Sequence, residues 1–147
     1  MSTVLVDTGV WYELFSSRDR NRERNKEQVK AIERSLQNDT ILLPWPVMYE
    51  TLKTKMVKDK SGLRNLEHQF SKPNMEFLPD LAYQEQSLIE CFDSSLKKKR
   101  PLSLVDCLLR SLMLDRNLKI DQFATNNWGD FANVCNKREI EVLEFNA

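Results

Sequence analysis

The sequence has 147 residues, of which 41% are hydrophobic and 30% are charged, and its formal net charge is zero. These values predict one globular domain over residues 1–147, and the zero net charge gives no sign of a strongly basic nucleic-acid binder. No apolar run approaches the roughly 20 residues that span a bilayer, and the N-terminus lacks the layout of a signal peptide, so the chain is expected to be cytoplasmic.

The first element is a strand followed at once by a helix. Residues 3–6 are apolar or β-branched, which predicts a strand buried on both faces, and the residues from Val10 to Phe15 have helical spacing. Asp7 stands where the strand ends, and open α/β sheets bind their ligands at the carboxyl ends of such strands. The alternative is that Asp7 or Thr8 only caps the helix.

The next elements continue this alternation. A polar loop over residues 16–25 precedes an amphipathic helix from about Arg24 to Gln37, and residues 40–43 form a second strand that prolines terminate. A helix is predicted to begin near Pro46 and to continue through Leu52 and Met56. Ser61-Gly62 is predicted to interrupt it before a short helix ends near Phe70.

The second half of the chain predicts three more strands. Residues 75–78 form the third strand, and the long helix after it has an apolar face that is assigned to the core: Leu81, Leu88, Ile89 and Phe92. A basic loop over residues 97–101 leads to an apolar helix from about Ser103 to Arg116, with Leu104 inside. Strands at 121–125 and 140–143 follow. The fold class is therefore α/β, with a mostly parallel sheet of about four or five strands and helices on both faces.

Four acidic residues are predicted to meet in this architecture. Loops that leave parallel strands gather at one end of the sheet, so Asp7, Glu50, Asp106 and Asp130 can converge. Converging carboxylates repel each other unless a cation neutralises them, and oxygen ligands suit Mg²⁺ or Mn²⁺. Each acid also has a purely structural interpretation. Asp7 would cap a helix, and Asp106 would form a capping box with Ser103. Glu50 would be an exposed helix residue, and Asp130 would start a short helix.

The cysteines and the histidine exclude other kinds of site. Cys91, Cys107 and Cys135 are far apart and form no Cys-x-x-Cys motif, so they are expected to be reduced thiols, two of them in the core. His68 is the only histidine and lies among polar residues. Catalysis by a histidine-dependent triad is therefore disfavoured, and hydrolysis by water that a metal ion activates needs no protein nucleophile.

Together the four segments resemble the PIN-domain ribonucleases, and most closely the VapC-type toxins of toxin–antitoxin pairs. Residues 4–11 are similar to the family's first strand and acid, and Glu50 resembles its second acid. Residues 102–106 and 124–131 are similar to its third and fourth acidic motifs. The four motifs occur in the family's order and span almost the whole chain. Asn127 stands where many members have an acid.

The resemblance implies a metal-dependent endoribonuclease. Asp7 and Asp106 would hold Mg²⁺ or Mn²⁺, with Glu50 and Asp130 binding directly or through water, and the products would carry a 5′-phosphate and a 3′-hydroxyl. Thr8 and Thr125 would orient ligands or water, and Asn127 would bond a ligand water or a phosphate. Lys53, one helical turn beyond Glu50, would contact the RNA backbone or simply be solvated.

The resemblance also implies partners. It predicts a homodimer and an antitoxin that docks between the second helix and the helices from Glu50 to Phe70; Trp11, Tyr12 and Trp45 are assigned to the core rather than to this groove. The resemblance implies a structured RNA target such as a tRNA or rRNA, and no motif in the sequence encodes which RNA is cut. Three alternatives stay open: a nuclease of RNA processing or defence, an inactive PIN-like binding module, and a phosphatase with Asp7 as nucleophile. The phosphatase is disfavoured because Gly9 occupies the position of its second aspartate.

Overall fold

The computed structural model describes residues 1–18, 22–98 and 100–146. Its strands are β1 (Thr3–Val6), β2 (Thr40–Pro44), β3 (Met75–Leu78), β4 (Gln122–Thr125) and β5 (Glu141–Glu144). Its α-helices are α1 (Thr8–Phe15), α2 (Lys26–Asn38), α3 (Trp45–Thr51), α4 (Thr54–Val57), α5 (Lys60–Phe70), α6 (Gln84–Leu96), α7 (Leu104–Leu114) and α8 (Ala132–Arg138). Short 3₁₀ turns cover Leu81–Tyr83 and Trp128–Asp130.

The five strands form one parallel sheet in the order β3-β2-β1-β4-β5. In the central strand β1, Leu5 lies opposite Leu42 of β2 on one side and Phe123 of β4 on the other. Successive residues of these three strands are buried, so helices cover both faces of the sheet. The predicted α/β fold class is confirmed.

Several predicted details agree with the structure. Cys107 and Cys135 are buried, Cys91 is half-buried, and all three thiols are free. Trp11 lies in the core, where its ring contacts Phe70 edge to face with the centroids 5.2 Å apart. Residues 19–21 of the predicted polar loop and Lys99 of the basic run lie outside the described residues. Within the described parts of the chain, no helix is long and apolar enough to cross a membrane.

The predicted core face of the helix after β3 is wrong. Leu88, Ile89 and Phe92 are exposed, and the buried residues of α6 are Ser87 and Ser94. The reason is that α6 packs chiefly against α7 rather than on the sheet. Small serines let the two helices approach closely, which leaves the large apolar side chains on the outside.

Other exposed residues were also assigned to the interior. Leu104 and Trp45 are each more than a third exposed, and both are the first residue of their helix, α7 and α3. The helix that begins near Pro46 stops at Thr51, and Leu52 is exposed in the turn before the separate short helix α4. Residues 132–138, to which the sequence pattern assigns no element beyond a possible start of a short helix at Asp130, form α8.

Gly62 does not interrupt a helix as predicted but lies inside α5. Its backbone N–H donates to the Asp59 side chain, which caps the helix. A Cβ atom at this position would lie 2.3 Å from the carbonyl oxygen of Phe15. The close approach of α1 to α5 therefore requires a glycine here, although glycine has a low helix propensity.

We expect Gly62→Ala to destabilise the protein although alanine favours helices. The clash with the Phe15 carbonyl should lower the free energy of unfolding by about 1–3 kcal/mol, measured by urea denaturation. Ser61→Ala, at the exposed neighbouring position, is the control. An equal or higher stability of Gly62→Ala would contradict this account of the packing.

Candidate active site

The four predicted acids lie at the carboxyl edge of the sheet. Asp7 follows β1, Glu50 belongs to the helix that follows β2, and Asp130 lies in the 3₁₀ turn after β4. Asp106 is in the first turn of α7, the helix that leads into β4. The negative charges of the other three residues each raise the pKa of Asp106, so the carboxylates form one electrostatic cluster.

Asp7 is buried and held rigidly at the end of β1. One carboxylate oxygen accepts from the backbone N–H of Thr8 at 2.8 Å, and the other accepts from the hydroxyl of Thr125 at 2.9 Å. Burial raises the pKa of Asp7, and the charges of Glu50 and Asp130 raise it further, while these two hydrogen bonds lower it. Asp7 therefore caps α1 and faces the acidic cluster at the same time, so the two interpretations are compatible.

Glu50 is oriented from the first helix. The hydroxyl of Thr8 donates to its carboxylate at 2.8 Å, and the phenol of Tyr12 donates to its backbone carbonyl at 3.1 Å. Thr8 and Tyr12 are one turn apart on α1, so a single face of that helix fixes both ends of the glutamate.

Asp106 combines a structural and an electrostatic role. Its backbone N–H donates to the Ser103 hydroxyl at 3.1 Å, which is the cap of α7 that the sequence predicts. Burial, followed by the charge of Asp7, raises the pKa of Asp106 to about 6. Among the described residues, Asp106 forms no ion pair, so no cation offsets its charge beside the other carboxylates.

Asp130, in contrast, is already paired. Arg100 donates to one carboxylate oxygen from Nε at 2.9 Å and from Nη2 at 2.7 Å, and the side-chain amide of Asn127 donates to the other. Arg110 donates to the backbone carbonyl of Asp130 at 2.7 Å and thereby fixes the turn. The backbone N–H of Asn127 also donates to the hydroxyl of Thr125, which itself donates to Asp7. Asn127 and Thr125 therefore connect Asp130 to Asp7.

A glycine brings the first helix close to the loop after β4. A Cβ atom at Gly9 would lie 2.4 Å from the side-chain nitrogen of Asn126, the residue after Thr125. A side chain at position 9 would therefore require the Asn126 side chain to move.

The comparisons with known proteins decide the family. The family model described as PIN domain matches residues 4–137. The chain belongs to the PIN-domain family. PIN domains are generally nucleases. The sequence matches no curated protein significantly.

A solved structure supports the PIN fold. The chain is similar to a chain of VapBC2 from Rickettsia felis, whose crystal structure was determined bound to a DNA fragment from the promoter. The identity is 18%, the TM-score is 0.56, and the match covers 95% of this chain and 96% of that one.

The basic residues at the edge of this PIN domain differ from those the sequence singled out. Lys53 does not continue the helix of Glu50, because α3 ends at Thr51, and it lies exposed in the turn before α4. Arg110 was not predicted to lie at the site. It follows Asp106 by four residues on the same helix, and this spacing indicates that the two side chains are neighbours. Arg100 belongs to the predicted basic run, and the fold places it beside the acids.

The chemistry of the acids fits a hard divalent cation. Their donor atoms are carboxylate oxygens. Burial and the charges of neighbouring acids raise the pKa values of Asp7 and Asp106, and a bound cation would offset this effect. Within residues 1–18, 22–98 and 100–146, no three such side chains lie close enough to hold one ion together. Mg²⁺ usually retains several waters and binds through one or two carboxylates, so a pair is sufficient.

Proposed function

We propose that this PIN domain is an Mg²⁺- or Mn²⁺-dependent endoribonuclease. The observation that carries the proposal is the uncompensated pair of Asp7 and Asp106 at the carboxyl edge of the sheet, where each is partly or fully buried beside other acids. These two residues would hold the ion, which would act as a Lewis acid that activates water and offsets charge on the phosphodiester.

The surrounding residues would prepare the site for this chemistry. Thr125 and the N–H of Thr8 hold the Asp7 carboxylate in one orientation, and Thr8 turns Glu50 toward the cluster. Asn127 and Arg100 hold Asp130, so that acid would act through water or by positioning rather than as a free ligand. Lys53 is exposed and forms no ion pair among the described residues, so it can contact the RNA backbone.

The test is incubation of total RNA with the purified protein in Mg²⁺, in Mn²⁺ and in EDTA. Discrete fragments that require the metal ion, with 5′-phosphate ends, are the expected result. The absence of any cut under all three conditions would contradict the nuclease and would favour an inactive module that binds RNA or protein.

We further propose that the nuclease is the toxin of a toxin–antitoxin pair, as the sequence resemblance implies. Two clefts of about 550 and 250 Å³ share Leu14 and Phe15 in their lining. The smaller cleft lies between α2 and α5, and the larger lies between α5 and the segment that precedes α2. Both would belong to the groove assigned to the antitoxin, and their mixture of apolar and charged lining residues suits an amphipathic helix.

Expression in a bacterial host without the partner tests the toxin assignment. Growth should stop with the wild-type chain, continue with Asp7→Asn, and recover when the neighbouring open reading frame is expressed as well. Normal growth with an active nuclease would contradict the toxin and would favour a role in RNA processing or defence.

The homodimer is proposed to form through the apolar side of α6. This surface, the α6 stripe, consists of Leu81, Leu88, Ile89, Phe92 and Leu96, all of which are exposed. The helix has an acid near its start (Glu85) and lysines just after its end (Lys97 and Lys98). An antiparallel two-fold pair would therefore place the acidic end of one copy against the basic end of the other.

We expect Leu96→Glu to weaken the dimer at least about tenfold, because it places an unpaired charge in a buried contact. The measurement is the molar mass by light scattering over a range of concentrations. Leu114→Glu, at an exposed position of α7, is the matched control. A wild-type mass of one chain at every concentration, or no effect of Leu96→Glu, would contradict this interface.

A further inference from the structure

Three aromatic rings form an exposed platform beside the candidate active site. Trp45 and Tyr49 lie one turn apart on α3, and Phe77 lies on the neighbouring edge strand β3. The ring centroids of Trp45 and Tyr49 are 6.2 Å apart, and those of Trp45 and Phe77 are 6.1 Å apart. The exposed fractions are 43% for Trp45, 71% for Tyr49 and 45% for Phe77.

The platform lies at the same edge of the sheet as the acidic cluster. Trp45 follows the last residue of β2, and Phe77 lies next to the last residue of β3, so both rings are at the carboxyl edge where the acids lie. Tyr49 directly precedes Glu50 on α3. The buried side of the same helix is formed by Val47, Met48 and Thr51, so the aromatic side is not needed for the core.

The charge beside the platform suits a polyanion. Lys53, Lys55, Lys58 and Lys60 follow α3 directly, are exposed, and form no ion pairs among the described residues. The acid in this segment, Asp59, is buried and bonded to Ser17 and Gly62. The segment therefore presents positive charge that complements phosphates.

The chemistry of this surface differs from that of the α6 stripe. The α6 stripe is mostly aliphatic, whereas the platform is aromatic and is followed in the chain by exposed lysines. Aromatic residues are common in both protein–protein and nucleic-acid interfaces, but lysines are depleted in the former, so the lysines favour nucleic acid. Exposed aromatic rings next to free cations are the usual means by which proteins bind unpaired nucleic-acid strands, because bases stack on the rings while cations contact the backbone.

We propose that the platform of Trp45, Tyr49 and Phe77 stacks on an unpaired base of the RNA, adjacent to the phosphodiester that is cleaved. This inference rests on the proposed function and names the residues that would hold a base of the substrate next to the cut. A base in a duplex is covered by its neighbours and cannot reach the rings.

The test measures RNA binding without cleavage. The parent protein carries Asp7→Asn, and the probes are a fluorescently labelled oligonucleotide without secondary structure and a blunt duplex of the same length, both in Mg²⁺. Tyr49→Leu and Trp45→Leu remove a ring and keep an apolar side chain, whereas Tyr49→Phe keeps the ring and is the matched control. Circular dichroism checks that each variant is folded.

Each leucine variant should bind the unpaired strand about tenfold more weakly than the parent, whereas Tyr49→Phe should bind as the parent does. Binding of the unpaired strand should also quench the tryptophan fluorescence of the parent more than that of Trp45→Leu, which retains Trp11 and Trp128, and the duplex should show neither effect. Unchanged affinity of the leucine variants would overturn the proposal, and a change in their oligomeric state instead would assign the platform to a protein contact. Failure of the proposed function is distinguishable, because it appears as absence of cleavage by the wild-type protein.

Discussion

Asp7→Asn is expected to lower the rate of RNA cleavage by about a thousandfold, which corresponds to the loss of roughly 4 kcal/mol of transition-state stabilisation. The substitution removes the negative charge of the most buried acid of the cluster. The fold should persist, because asparagine also caps helices well and its amide can remain bonded to Thr125. Single-turnover cleavage of RNA in Mg²⁺ measures the effect.

Asp39→Asn is the matched control for this experiment. Asp39 precedes β2 and therefore lies at the opposite edge of the sheet from the acids. The control should cleave RNA at the wild-type rate. An Asp7→Asn protein that is folded and cleaves RNA at the wild-type rate would show that Asp7 is not part of the catalytic machinery.

Asp106→Asn is expected to abolish cleavage and to stabilise the metal-free protein at neutral pH. The pKa of Asp106 is raised from 3.8 to about 6 in the folded chain, so the folded state binds this proton more tightly than the unfolded state does. The contribution of Asp106 to the free energy of unfolding is therefore favourable at low pH and is lost as the pH rises from about 4 to about 6. Asparagine carries no charge and avoids this loss.

Thermal unfolding in EDTA measures the effect on stability. At about pH 7.5 the melting temperature of Asp106→Asn should exceed that of the wild type by about 2–4 °C, after allowance for solvent screening of a partly exposed group. At about pH 4 the difference should disappear, since the wild-type carboxyl group is then largely protonated. A lower melting temperature of the variant at neutral pH would contradict the proposed repulsion.

The sequence was sufficient for the sheet and for the positions of the acids. The buried run before Asp7 and the capping box at Ser103 are local patterns, and parallel strands necessarily bring their carboxyl ends to one edge. The extent of the helix after Asp130 was not predicted because residues 132–138 lack a strong apolar period.

The outer surface could not be predicted from local patterns. Leu88, Ile89 and Phe92 have the spacing of a core face, but spacing does not reveal whether the sheet, another helix or a second protein covers that face. Gly62 likewise has the appearance of a helix breaker, and only the tertiary contact with the Phe15 carbonyl explains its position inside α5.

The pairing within the site also depends on tertiary structure. Arg100 and Asp130 are thirty residues apart in the sequence, and no short motif connects them. The family resemblance already distinguishes Asp7 and Asp106 from Asp130, and the structure adds a physical reason: among the described residues Asp130 is paired with a cation, whereas Asp7 and Asp106 form no ion pair. This distinction supports the proposal that Asp7 and Asp106 hold the metal ion.

Binding of Mn²⁺ to the purified protein, followed by electron paramagnetic resonance or calorimetry, tests most directly whether these acids form a divalent-cation site. The wild type and Asp39→Asn should bind Mn²⁺ with the same affinity, Asp7→Asn and Asp106→Asn should each bind it at least about tenfold more weakly, and Mg²⁺ should compete. Equal binding by all four proteins, or no binding by the folded wild type, would contradict the metal site on which the proposed nuclease depends.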